Sequence, residues 1–156
     1  MTSLNRYERK KNIDLAIQGF ADFIEKSASN PVSIDSILVI AGGWDERVAE
    51  NVEHEQELRK LAEDFQISDK VVFLKSISND ERLLLLENTK VLLYTPENEH
   101  FGIVPVEAMH MGCIVIACNS GGPLESVSDG ETGYLLSPIA QEWGEKIYTL
   151  LNLSSG

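Results

Sequence analysis

The stretch TPENEHFGIVPVEAM, Thr95 to Met109, places two carboxylates, Glu99 and Glu107, on either side of an apolar patch that contains Gly102 and Pro105. A carboxylate accepts two hydrogen bonds, so Glu107 suits the vicinal hydroxyls of a ribose, and Glu99 on the preceding loop suits the hydroxyls of a sugar. Pro105 fits the first turn of a helix, where its missing N–H costs nothing. The amides of Gly102, Ile103 and Val104 then lie at the positive end of that helix, and Gly102 lets a ligand approach the main chain. Glu107 is expected in the helix's first turn. The plainer alternative has Glu107 only stabilising the helix N-terminus, worth a few tenths to about 1 kcal/mol, and Glu99 simply solvated. Spacing alone leaves both alternatives open.

The basic run RYERKK, Arg6 to Lys11, is the other chemical feature. Arg6 and Lys11 together suit a diphosphate, each charge-assisted hydrogen bond contributing about 1.5–3 kcal/mol. Equally, the run reads as a solvated charge patch. NSGGPLES, Asn119 to Ser126, offers a second loop-to-helix turn, read either as ligand contact or as a tight turn. Neither a dinucleotide nor a P-loop glycine fingerprint occurs. His54, His100 and His110 lack ligand spacing with the cysteines, and there is no Asp-x-Asp pair for a divalent ion, so no metal is expected.

The elements that must position these groups alternate. Helices are expected over Asn12–Lys26, Arg47–Phe65, Asn79–Asn88, Val104–Met111 and Ala140–Leu151, and strands over Ser36–Gly43, Lys70–Ser76, Lys90–Pro96, Cys113–Asn119 and Gly133–Ser137. Apolar runs such as ILVIA, VVFL, VLLY and IVIA suit strands buried on both faces. The expected fold is α/β: a doubly wound, Rossmann-like parallel sheet of five or six strands in one domain, 1–156. Ligands of such a sheet bind beyond the carboxyl ends of the strands. That rule selects Asn5–Lys11, Gly42–Trp44, Lys75–Ile77, Pro96–Ile103 and Asn119–Pro123, with Gly42 and Gly43 at the second strand's end. Thr2–Leu4 looks like the stub of a first strand, which suggests a fragment, and the closing LSSG reads as an added tail.

A formal net charge of -12 argues against non-specific nucleic-acid binding. Cys113 and Cys118 are expected on opposite strand faces and unpaired, which fits a reducing compartment. No apolar run reaches the length of a membrane span. Asn152-Leu153-Ser154 matches a glycosylation acceptor, with nothing else pointing to secretion.

EHFGIVPVEAM, followed by GCIVIACNSGGPLE and preceded by NRYERKKNIDLAI, resembles the family-4 retaining glycosyltransferases of the GT-B fold over nearly the whole chain. Arg6 and Lys11 keep the spacing of the family's Gly-Arg-x-x-x-x-Lys-Gly block, while Asn5 and Asn12 replace its glycines. Ile114 stands where the family usually has proline. Within the family, NRYERKKN and AGGWDERVAENVEHEQEL resemble the mannosyltransferases that build dolichol-linked oligosaccharide on the cytosolic face of the endoplasmic reticulum. The resemblance implies a C-terminal donor-binding half whose N-terminal acceptor domain is absent, with any membrane association lying outside this chain. It implies GDP-mannose as donor, bound without metal, and a lipid-linked oligosaccharide as acceptor. It assigns Arg6, Lys11 and the amides of Gly102–Val104 to the diphosphate, Glu107 to the ribose, Glu99 to the mannose, and main-chain groups of Lys75, Ser76 and Ile77 to the base. Another nucleotide sugar, or a non-catalytic binding module, stays open.

Overall fold

In the computed structural model, residues 1–29, 35–100 and 102–155 are described. The loop expected at 30–35 therefore lies outside them except for Asp35, as does Phe101 of the central motif. Six strands form one sheet: β1 (Thr2–Leu4), β2 (Leu38–Gly42), β3 (Val71–Lys75), β4 (Val91–Tyr94), β5 (Ile114–Cys118) and β6 (Gly133–Leu136). Their order is β3-β2-β1-β4-β5-β6, and every pairing is parallel. The expected doubly wound architecture holds. The three-residue β1, a stub in the sequence, is a central strand.

Alternation along the strands sorts their side chains onto two faces. Leu38 and Ile40, Val91 and Leu93, and Ile116 and Cys118 pack under helices α1 (Ile13–Ala28), α2 (Ala49–Asp64) and α6 (Ala140–Ser155). Ala41, Leu92, Tyr94, Val115 and Ala117 pack under α3 (Asn79–Glu87) and α4 (Ile103–His110), beside the single-turn α5 (Pro123–Ser126). Trp143 of α6 is fully buried, and its Nε1 donates to the Ser137 carbonyl at 2.8 Å.

Burial departs from simple apolar patterning in three places. Val72 of β3 is 40% exposed, because β3 is an edge strand and only its inner side is covered. Val48 and Phe65 flank α2 and are exposed, whereas the helix buries Asn51, His54 and Glu55 alongside Leu58 and Ala62. Of the four leucines of α3, Leu83 and Leu84 face solvent and only Leu86 is buried.

Cys113 and Cys118 fall in opposite core layers, as expected, and both are free thiols. The Cys118 thiol donates to the Thr95 carbonyl at 3.2 Å, and burial, helped by the nearby Glu97 carboxylate, pushes its pKa up to about 12. At pH 8 its thiolate fraction is then about a thousandfold lower than that of an ordinary cysteine. Iodoacetamide should leave Cys118 unmodified in the native protein and label it in urea. Rapid native labelling, read by mass spectrometry, would show that the carboxyl end of β5 opens.

Candidate functional site

The strand order reverses between β1 and β4: from β1 the chain proceeds to one side of the sheet, and β4 begins the other. Loops leaving such a switch point diverge over the two faces and leave a crevice between them. The β1 loop carries Arg6 and Lys11, and the β4 loop carries Glu99. Lys11 Nζ donates to Glu99 Oε1 at 2.8 Å. Their side chains are 18% and 27% exposed, so the pair is largely sheltered. The two loops are joined a second time where Thr95 Oγ1 donates to the Lys11 carbonyl at 2.8 Å. Asn12, where the family pattern has glycine, adopts φ 55°, ψ 39°. Asparagine tolerates that left-handed conformation better than most residues, which lets the chain turn from Lys11 into α1.

The rest of RYERKK divides between structure and site. Tyr7 is fully buried, and its hydroxyl lies 3.1 Å from the Ile40 carbonyl and 2.9 Å from that of Leu74. Asn51 of α2 grips the same segment, donating from Nδ2 to the Tyr7 carbonyl at 3.0 Å. Arg9 bridges to Glu53 and Glu57 of α2, and Lys10 lies 3.4 Å from Glu8. Both are therefore surface ion pairs, and the charge-patch alternative is right for them. Arg6 does not join the Lys11–Glu99 pair. Its side chain is 77% exposed, and among the described residues its ion-pair partner is Glu8, at 4.0 Å.

Arg6 instead lines a neighbouring cleft of about 360 Å³ with Leu4, Gly42, Gly43, Ser76, Ile77 and Arg82. Here the expected base-binding groups separate. The Lys75 ammonium sits 4.3 Å over the Trp44 ring and 3.7 Å from Glu55, so its side chain turns away towards α2. The Ser76 amide donates to the Gly42 carbonyl at 2.8 Å, and the Ser76 hydroxyl donates to that of Trp44, also at 2.8 Å. A left-handed turn at Ser76, φ 51°, ties the ends of β2 and β3 in this way. The Ser76 amide is thus committed to the fold, while Ile77 faces the cleft. Gly42 serves the fold as well: a Cβ there would lie 1.7 Å from the Asn5 carbonyl oxygen.

On the other side of the crevice, Gly102 is the N-cap of α4, followed by Ile103 and Val104 in its first turn. A Cβ at Gly102 would lie 2.6 Å from the Tyr94 hydroxyl. Burial, with Glu99 nearby, raises the pKa of that hydroxyl. Pro105 is in the first turn, as expected. Glu107 is not: α4 starts at Ile103, so Glu107 falls in the second turn. There it meets a residue no motif selected, Arg82 of α3, whose Nη1 donates to Glu107 Oε2 at 2.5 Å. The only sequence signal was a single arginine one helical turn beyond the capping box that starts α3 at Ser78. The NSGGPLES turn supports Glu99 from below. Gly122 N–H donates to the Glu99 carbonyl at 2.7 Å, and a Cβ at Gly121 would lie 2.4 Å from that same oxygen.

Lys11, Glu99, the N-terminus of α4, Glu107, Arg6 and Arg82 thus share the carboxyl edge of the sheet. A larger cavity of about 800 Å³, between α1, the end of α2 and the start of α6, is lined by Asp22 and Glu25 but by no lysine or arginine, so it does not suit an anion. Among the described residues no three His, Cys, Asp or Glu side chains gather in a metal-binding group, and no helix is long and apolar enough to cross a membrane.

Known proteins with this pattern are numerous. The chain is 48% identical over 147 residues to human alpha-1,3/1,6-mannosyltransferase ALG2, covering 94% of this chain and 35% of that protein. It is 41% identical over 175 residues to the Saccharomyces cerevisiae protein of the same name, covering 93% and 34%. It spans about a third of the length of these curated relatives. Among solved structures, sucrose-phosphate synthase from Thermosynechococcus elongatus superposes with TM-score 0.82 at 26% identity, covering 97% of this chain and 36% of that one. The C-terminal domain of the group 1 glycosyl transferase LpcC from Francisella tularensis shares the fold at TM-score 0.83 and 22% identity, covering 99% and 76%. The model for glycosyl transferases group 1 matches residues 1–155, and the chain belongs to that family.

Proposed function

We propose that the chain is the donor-binding half of a retaining mannosyltransferase, one that moves mannose from GDP-mannose to a dolichol-diphosphate-linked oligosaccharide on the cytosolic face of the endoplasmic reticulum. The observation that carries this is the Lys11–Glu99 pair at the switch point, beside the glycine-capped start of α4. An ammonium, a helix N-terminus and a carboxylate at one point match a donor's diphosphate and its adjoining sugar. In the reaction, the bond between mannose C1 and the β-phosphate oxygen breaks, and C1 bonds to an acceptor hydroxyl that gives up its proton. Charge develops on the departing GDP. Lys11, with Arg6 from the neighbouring cleft, is placed to neutralise it, and such preorganised charge is a large part of catalysis. Glu99 holds the mannose hydroxyls. The acceptor and the opposite wall of the crevice belong to an N-terminal domain outside this chain.

This half binds donor and does not turn it over. Because the protein supplies the positive charge, binding is expected to need no divalent ion. Titration of the chain with GDP, UDP and ADP in the presence of chelator tests the reading. GDP should bind, weakly and ahead of the other two. Binding only with added magnesium or manganese would remove the metal-free donor site. Preference for UDP would point to another sugar donor, and loss of all three would favour a non-catalytic module.

A further inference from the structure

Arg82 is fixed at both edges. Its Nε and Nη2 both donate to Asn79 Oδ1, at 3.3 and 2.9 Å, and Nη1 crosses to Glu107 Oε2 on α4. Asn79 opens α3, whose first turn is locked by a reciprocal capping box between Ser78 and Glu81. The guanidinium is therefore anchored to its own helix end before it reaches Glu107. About a quarter of the Arg82 side chain and a fifth of that of Glu107 are exposed, enough for a ligand to touch the pair without water flooding it. Arg82 also borders the cleft at Ser76 and Ile77. A planar guanidinium that takes one carboxylate oxygen restricts rotation of the whole group and leaves the second oxygen's lone pairs for a ligand.

We propose that Arg82 is the positioning residue for Glu107, holding its carboxylate in the orientation from which it accepts both vicinal hydroxyls of a nucleotide's ribose. This rests on the donor-site reading above and extends it: discrimination between ribose and 2′-deoxyribose is set by a pair, Arg82 and Glu107, and not by Glu107 alone. Loss of the 2′-hydroxyl removes one hydrogen bond to a charged acceptor, so GDP should bind about tenfold more tightly than 2′-deoxy-GDP.

The test is calorimetric titration of the 156-residue chain with both nucleotides, for wild type, Arg82→Ala, Arg82→Lys, Asn79→Ala and Glu107→Gln, with urea midpoints measured alongside. Arg82→Ala should bring the tenfold preference close to one, as should Glu107→Gln, and a protein carrying both Arg82→Ala and Glu107→Gln should lose nothing further. Arg82→Lys should restore part of the preference. Asn79→Ala, which loosens the guanidinium without removing it, should fall between. An Arg82→Ala protein that binds both nucleotides more weakly but keeps the full preference would overturn the proposal, because Arg82 would then be a ligand contact or a prop for α3. A wild type that binds GDP and 2′-deoxy-GDP equally well, or a Glu107→Gln variant that still discriminates, would overturn the ribose role of Glu107 and this inference with it. A wild type that binds neither nucleotide would remove the donor-site reading itself.

Discussion

Lys11→Ala is expected to weaken GDP binding by about 1.5–3 kcal/mol, a factor of roughly ten to a hundred or a little more. Among the described residues the ammonium is the one cation paired with Glu99, and its main chain is tied to the β4 loop through Thr95. No neighbouring cation replaces it: Arg6 lies over the adjoining cleft, and Arg9 and Lys10 are paired elsewhere. Stability should change much less. Glu99 keeps 27% of its side chain in solvent, so water can take over the lost partner at a cost of about 1 kcal/mol or below. Glu99→Gln supplies the opposite arm. In the free protein the carboxylate competes with phosphate for Lys11, so its neutral isostere should bind GDP at least as tightly as wild type. It should also lose any advantage of GDP-mannose over GDP. Calorimetry on both variants reads all of this. If Lys11→Ala binds GDP like wild type, the diphosphate sits elsewhere.

The largest effect on stability is expected from Gly42→Ala. Asn5 N–H donates to the Ala41 carbonyl at 2.9 Å, which brings the main chain leaving β1 directly over Gly42. A methyl group at Gly42 would lie 1.7 Å from the Asn5 oxygen and 2.4 Å from its carbonyl carbon, both backbone atoms of the residue that directly follows the central strand β1. Overpacking against movable side chains costs about 1–3 kcal/mol, and backbone relaxes less, so a loss of about 3 kcal/mol or more is expected. Any relaxation that does occur displaces the segment carrying Arg6 and Lys11. Gly43→Ala is the matched control. Its added methyl would meet only Arg6 Cγ, at 3.5 Å, an ordinary contact, and stability should stay within about 0.5 kcal/mol of wild type. Urea denaturation of the two variants decides the matter. Equal midpoints would mean that the β1–β2 approach is looser than the geometry indicates.

Much of this was legible in the residues, for a local reason. Strands buried on both faces read as apolar runs, and glycine and proline mark where the chain turns, so the alternation of elements and the parallel sheet followed from patterns a few residues long. The same logic found the start of α4 and the turn at Pro123. It was weakest where the pattern is local but the burial is not. VVFL reads as a strand buried on both faces and became an edge, with Val72 40% exposed.

Motif spacing supplied Lys11, Glu99 and Glu107 as residues able to hold a phosphate, a sugar and a ribose, but not their partners. A run of like charges carries no mark of which member faces a neighbouring helix. Packing against α2 spent Arg9 on Glu53 and Glu57, buried Tyr7 under the ends of β2 and β3, and left Lys11 to meet a carboxylate 88 positions away. Arg82 and Glu107 are 25 positions apart on two helices that share one face of the sheet. The Ser76 amide, free on paper, is consumed by the turn that joins two strand ends. The elements, their order and the chemistry available at the sheet's edge follow from local periodicity and residue type, and so can be read along the chain. Which charges meet depends on where the winding of the sheet brings together residues far apart in sequence, and that appears first in the folded molecule.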